Sequence, residues 1–255
     1  MKFNYWILSS IFYCLIGTSY AAESDPPILN AISVDKTVVD VSNGSQVVTF
    51  ATDIYDASGI DWDANGNQIN LSGPKTLLAR ANNDVADVFT VTVNTSTPSG
   101  FYEIRWISLY DELGNISSYS SSNLLDFGLP SHIKVIDENY NFNFDFDENG
   151  SLDALTDGLL LLRYAFGLRE ENLTNAAIGS GSTLSPEEVA MNVEQVTGLA
   201  DIDKSGTLDA LTDGLIFLRY AFGLRGDSLV SGAISSDATR TSAADIEAYI
   251  ESHMP

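Results

Sequence analysis

The chain has 255 residues, 44% hydrophobic and 10% aromatic, which excludes a disordered polyelectrolyte and leaves room for one large or two modest domains. Its formal charge of −23 repels phosphate backbones and anionic bilayers, which speaks against nucleic acid as a partner, and no apolar stretch after the N-terminal one is long enough to span a bilayer, so no membrane insertion of the mature chain is expected. Many of the 35 acids sit in tight clusters, a pattern that points to cation sites rather than to solubility alone.

The first 21 residues read as a targeting segment. Met1-Lys2 gives a positive start, an apolar run follows from Ile7 to about Gly17, and Ser19-Tyr20-Ala21 supplies small residues for cleavage. This predicts a signal peptide over residues 1–21 and a mature chain that is secreted or extracellular, with periplasm and cell surface as alternatives. Cys14, the only cysteine, leaves with it, so stability must come from core burial and metal rather than from a disulfide.

Residues 23–136 read as strands. Val48, Phe50 and Ile54 share one face of an alternating run, as do Phe89, Val91 and Val93, and Tyr102, Ile104 and Trp106. Asn43-Gly44, Ser72-Gly73-Pro74, Pro98-Ser99-Gly100 and Gly114-Asn115 punctuate them. Short strands at this spacing predict a two-sheet sandwich. The stretch Gly100–Trp106, followed by Asp111-Glu112-Leu113-Gly114-Asn115, resembles the late strands of bacterial immunoglobulin-like domains, which implies an all-β immunoglobulin-like sandwich here.

From residue 137 to 255 the apolar period becomes helical and the sequence repeats. Residues 152–169 read LDALTDGLLLLRYAFGLR and residues 208–225 read LDALTDGLIFLRYAFGLR, identical at 16 of 18 positions with an offset of 56. The repeating units run 145–196 and 201–252. Each predicts two helices. The first buries Leu155, Leu159, Leu162 and Phe166 on one face. The second starts at Ser185-Pro186-Glu187-Glu188 in one unit and at Thr241 or Ser242 in the other.

Acids precede each first helix at fixed spacing: Asp145, Asp147, Asn149, Ser151 and Asp153, then Asp201, Asp203, Ser205, Thr207 and Asp209. Oxygens at alternate loop positions, with Gly150 or Gly206 at the sharp turn, suit a calcium ion that wants six to eight oxygen ligands. Two calcium ions are therefore predicted. The bidentate acid belongs at position 12, where Thr156 and Thr212 stand, while Asp157 and Asp213 come one place later. Either the loop gains a residue so that Asp157 and Asp213 close the site, or Asp153 and Asp209 bind directly and the later acids favour the helix N-terminus. Ser205 in place of an amide makes the second loop the weaker one. The sequence Asp61-Trp62-Asp63-Ala64-Asn65-Gly66 mimics the start of such a loop, but no helix follows and it reads as a hairpin turn.

Two acid loops that each lead into a helix resemble the type I dockerin module. The resemblance implies a C-terminal all-α duplicated EF-hand-like calcium domain, hence a multi-domain chain, and a protein partner of the cohesin kind, in extracellular polysaccharide-degrading assemblies. The positions that resemble dockerin contact sites are Ala154-Leu155 and Ala210-Leu211, which either form an apolar docking patch or send their leucines into the core. His132 and His253 lie in no catalytic constellation, and no serine elbow, zinc motif or phosphate loop is present, so the chain is read as non-catalytic. The alternative is a calcium-stabilised structural or adhesive surface protein whose sandwich binds carbohydrate or protein, with Trp62 as a stacking candidate.

Overall fold

The computed structural model describes residues 24–63, 66–82 and 85–255. The signal-peptide reading of residues 1–21 lies outside the described residues.

Nine strands form the N-terminal part: β1 (Ile28–Val34), β2 (Val38–Asp40), β3 (Gln46–Tyr55), β4 (Gln68–Ser72), β5 (Leu77–Ala81), β6 (Val88–Val93), β7 (Gly100–Tyr110), β8 (Ile116–Ser120) and β9 (His132–Ile136). They are hydrogen-bonded into one sheet in the order β1-β3-β6-β5-β4-β7-β9-β2, with β8 also on β7. All pairings are antiparallel except β2 with β9, where Val38–Asp40 runs alongside Lys134–Ile136. The two-sheet immunoglobulin-like sandwich is thereby corrected to a single mixed sheet curled into a half-barrel. Alternating apolar residues predict strands and a buried face, but not which strand closes on which. Here the inner face wraps one core that includes Val48, Phe50, Phe89, Tyr102 and Val135.

Two local departures have visible causes. On β7 the register slips, with Asn70 opposite Trp106 but Leu71 opposite Ile104. Arg105 is the extra residue of a bulge, so the buried phase moves from Tyr102 and Ile104 to Ile107 and Leu109, and Trp106 turns partly outward. The Asp61–Gly66 segment is not a hairpin turn: it leads from β3, which pairs with β1 and β6, to β4, which pairs with β5 and β7. The β7–β8 connection is a hairpin, in which Asp111 Oδ1 accepts the amides of Leu113 at 2.9 Å and Asn115 at 2.7 Å.

After β9 the chain forms short helices. α1 (Ser121–Asp126) precedes β9, and α2 (Leu159–Ala165), α3 (Glu171–Thr174), α4 (Pro186–Gln195), α5 (Leu215–Ala221), α6 (Asp227–Val230) and α7 (Ala243–Glu251) follow. The longest spans ten residues, and no helix leads directly into either acid loop. The expected all-α EF-hand-like module is overturned by this: an EF-hand needs a helix on both sides of its loop, whereas here irregular chain enters and a short helix leaves.

The exit helices begin as π-helical turns, Ala154–Gly158 and Ala210–Gly214, closed by Gly158 N–H to Asp153 O at 3.0 Å and Gly214 N–H to Asp209 O at 3.1 Å. A π-turn holds one residue more than an α-turn and rotates the residues before it relative to the rest of the helix. The expected apolar stripe is displaced accordingly. Leu160 and Leu161 are buried, while Leu155 and Phe166 are 68% and 56% exposed. The two exit helices cross closely at glycine: a Cβ on Gly158 would stand 3.0 Å from Leu218 Cδ1, and one on Gly214 would stand 3.0 Å from Leu162 Cδ1. The repeats thus pack as an approximate two-fold pair around Phe144, Phe146 and Phe217, with the rings of Phe144 and Phe217 4.8 Å apart. The second helices start at Ser185 and Ser242, each capping the amide three residues on. Their offset is 57, so the second repeat carries one extra residue in its long loop.

Candidate metal centres

The sequence of each acid loop builds its own cage. Asp145 accepts the amides of Asn149 at 3.1 Å and Gly150 at 2.8 Å, and Asp201 accepts those of Ser205 and Gly206, both at 2.9 Å. The curl needs left-handed backbone, supplied by Gly150 at φ 88° and Gly206 at φ 100°. A distant segment then closes over the loop. Gly179 N–H donates to Asp147 at 2.5 Å, and Ser235 N–H donates to Asp203 at 2.8 Å. A Cβ on Gly179 would fall 2.8 Å from the Asp147 carboxylate, so a side chain there would have to displace the ends of Asp147 and Asn149, whereas the second repeat carries Ser235 at this place.

The π-turns bring in the third acid. Asp157 accepts from Phe146 N–H at 2.8 Å and Asp153 N–H at 2.9 Å; Asp213 accepts from Ile202 at 2.7 Å and Asp209 at 2.8 Å. As a result Asp145, Asp147 and Asp157 place one carboxylate oxygen each within 4.8 Å of one another, and so do Asp201, Asp203 and Asp213. Two acidic clusters able to hold a metal ion are present. The extra residue of the π-turn accounts for an acid one place beyond position 12.

The other expected ligands make local contacts around these trios, and Ser205 Oγ also lies 3.5 Å from Asp201 Oδ1. Asn149 Oδ1 accepts Ser151 N–H, Ser205 Oγ donates to Thr207 O, and Asp209 Oδ1 accepts Leu211 N–H. Asp153 and Asp209 are exposed residues at the start of the π-turns. Thr156 and Thr212 donate their hydroxyls to Asp157 and Asp213 at 3.2 Å.

Burial of like charges sets the electrostatics. Asp147, Asp157, Asp203 and Asp213 are fully buried. Burial pushes the Asp157 carboxyl up to about 7, with amide donors opposing the rise and the neighbouring Asp147 and Asp145 adding to it. Asp213 and Asp145 are raised for the same leading reason. Three carboxylates so close hold their charge together only with a cation among them.

Sequence reasoning missed what covers the first loop. Lys134 on β9 is 1% exposed and sits 4.3 Å from the Tyr140 ring centre and 4.7 Å from that of Phe101. Its ammonium donates to Tyr140 Oη, to Asn192 Oδ1 at 2.5 Å and to Glu148 at 3.3 Å. The one available signal was a lysine inside the apolar run His132–Ile136. His132 lies 3.6 Å from Glu188, and His253 Nδ1 donates to the Tyr249 carbonyl at 2.8 Å; neither belongs to an acid trio. Trp62 packs edge-on against Phe89 at 6.2 Å, partly buried against the sheet core. Among the described residues no helix is long and apolar enough to cross a membrane. Comparison with protein-family models, curated proteins and solved structures returned no match.

Proposed function

We propose that this chain is an exported, non-catalytic protein that binds two calcium ions and uses its duplicated loops in calcium-dependent docking to a protein partner. The observation that carries the reading is the pair of aspartate trios, five of whose six members are buried, built alike in both repeats. Their ligands are oxygen only, which suits a hard cation and disfavours zinc, for which histidine or cysteine would be expected. Carboxylates on an irregular, flexible loop favour calcium over magnesium, which demands stricter octahedral geometry. The acid spacing that resembles the dockerin calcium loop supports the same ion. Leu155 and Leu211, 68% and 65% exposed at equivalent places beside the trios, favour docking over a purely structural role for the metal.

Isothermal titration of the full chain tests this. The expected result is two calcium sites with affinities on the order of 10⁻⁴–10⁻³ M, a range common in extracellular modules. Heat from zinc but none from calcium would overturn the ion assignment, and a stoichiometry of zero would remove the reading altogether.

A further inference from the structure

A cleft of about 1030 Å³ opens between the segment joining α1 to β9 and the α3–α4 face of the first repeat. Leu125, Ile178 and Met191 make its apolar floor and walls. Four glutamates, Glu170, Glu171, Glu187 and Glu194, surround it with Arg169 as the single opposing cation. Arg169 is already engaged: its guanidinium lies 3.6 Å from the Tyr164 ring centre and donates to Tyr164 O at 2.8 Å. Among the described residues none of the four glutamates has an ion-pair partner.

The second repeat is an internal control for what the fold itself requires. There Gly226 stands for Glu170 and, aligned on the helix caps, Ala244 stands for Glu187. Two of the four acids are therefore dispensable to the scaffold. Glu247 stands where the first repeat has Ala190, and its carboxylate accepts Gly226 N–H at 2.6 Å, tying α7 to the start of α6. The small Ala190 leaves the equivalent gap open in the first repeat. Glu170 and Ala176, both lining the cleft, hold left-handed backbone at φ 53° and 54°, where the second repeat uses Gly226 and Gly232. Side chains are thus kept at the cleft against the local backbone preference.

We propose that this cleft is a docking groove for a basic peptide segment that buries one apolar side chain between Leu125 and Met191. Charge complementarity selects the occupant: an apolar floor inside a glutamate rim takes lysine or arginine flanking an aliphatic anchor. The proposal adds a second contact face, lined by neither Leu155 nor Leu211, to the protein-binding reading above and rests on that reading for a protein partner.

The test uses the full chain and a fluorescein-labelled peptide of leucines spaced among lysines, with calcium titrated separately by calorimetry. Saturable, salt-sensitive binding is expected. Ala190→Glu, which closes the gap as Glu247 does, and Leu125→Asp, from the opposite wall, should each weaken it at least tenfold without changing calcium stoichiometry. Equal binding of a lysine–serine or a glutamate–leucine peptide overturns the groove, as does full binding by both variants. Calcium binding without peptide binding removes the groove alone. Peptide binding without calcium binding removes the calcium reading and keeps the groove.

Discussion

Phe146 and Ile202 occupy equivalent places in the two acid loops, and their carbonyls are met by different donors. Asn192 Nδ2 donates to Phe146 O at 2.9 Å, whereas the Arg240 guanidinium donates to Ile202 O. Asn192 is in turn held by Lys134, which the sheet contributes from β9. Arg240 belongs to the second repeat itself and stacks on Tyr249, the counterpart of Asn192, at 3.6 Å. Each loop thus has a side-chain donor over the carbonyl of its second residue. One borrows it through a cation from the sheet and the other supplies it locally. Duplication preserved the metal trio and the crossing helices, and the cover over each loop diverged.

The largest effect should come from the part the repeats share. Asp157→Asn and Asp213→Asn each remove one of three clustered carboxylates, and each should weaken calcium at its own loop by on the order of 100-fold or more. Calorimetry should then count one site instead of two in either variant. Loss of both sites from a single substitution would mean that the crossing at Gly158 and Gly214 couples the loops into one unit.

Next in size is the part that differs. Lys134→Met leaves Asn192 and Glu148 without their shared donor and should cost about 1–3 kcal/mol, felt in the sheet and the first loop. Arg240→Met should cost a similar amount in the second loop only. Hydrogen exchange at the amides of Val135, Phe146 and Ile202 separates the two cases. Equal protection loss at Phe146 and Ile202 in both variants would break the distinction between borrowed and local cover.

How much of this was legible depends on the range of the interaction. The acids, their 56-residue offset and the anomaly at position 13 are local and periodic, so they stand in the sequence. The β7–β8 turn is local as well. The sheet order was not legible, because pairing β2 with β9 joins segments far apart and alternation alone does not name a partner. The exposed side of the exit helix was misplaced because helical periodicity assumes α-geometry throughout, and a π-turn shifts the phase that put Leu155 and Phe166 inside. Lys134 was passed over because an isolated lysine ordinarily reads as surface, and only the rings of Phe101 and Tyr140 with three acceptors, Tyr140 Oη, Asn192 and Glu148, make its burial tolerable.

Acid should weaken calcium binding through the shared aspartate. The Asp157 carboxyl has an ordinary value of 3.8 and is raised to about 7 in the folded metal-free chain. The folded state therefore binds more protons than the unfolded state across that window. Stability contributed by the protonated form is fully present below about 4 and is lost as pH rises through about 7. A divalent cation displaces the proton, so calcium affinity at the first loop should fall as pH drops below about 7, by up to roughly tenfold per unit. The Asp213→Asn variant isolates that loop for titration. An affinity constant from pH 7.5 down to pH 5 would show that Asp157 is ionised without metal.

The smallest effect concerns the backbone at residue 170. Glu170 precedes α3 at φ 53°, and Gly226 precedes α6 at φ 59° in the other repeat. Glu170→Gly relieves the left-handed penalty of a side chain but gives the unfolded chain more freedom, and the two oppose each other. The native conformation is one that glycine adopts without strain, so the relief should dominate and stabilise the first repeat by roughly 0.5–1 kcal/mol. Gly226→Ala should destabilise the second repeat by a similar amount, since it introduces the strain that Glu170 already bears. Thermal melts in saturating calcium would show a small rise for the first variant and a small fall for the second. A fall for both would mean that the Glu170 side chain contributes more to folding than its backbone costs, and the strain would then have no separate explanation in binding.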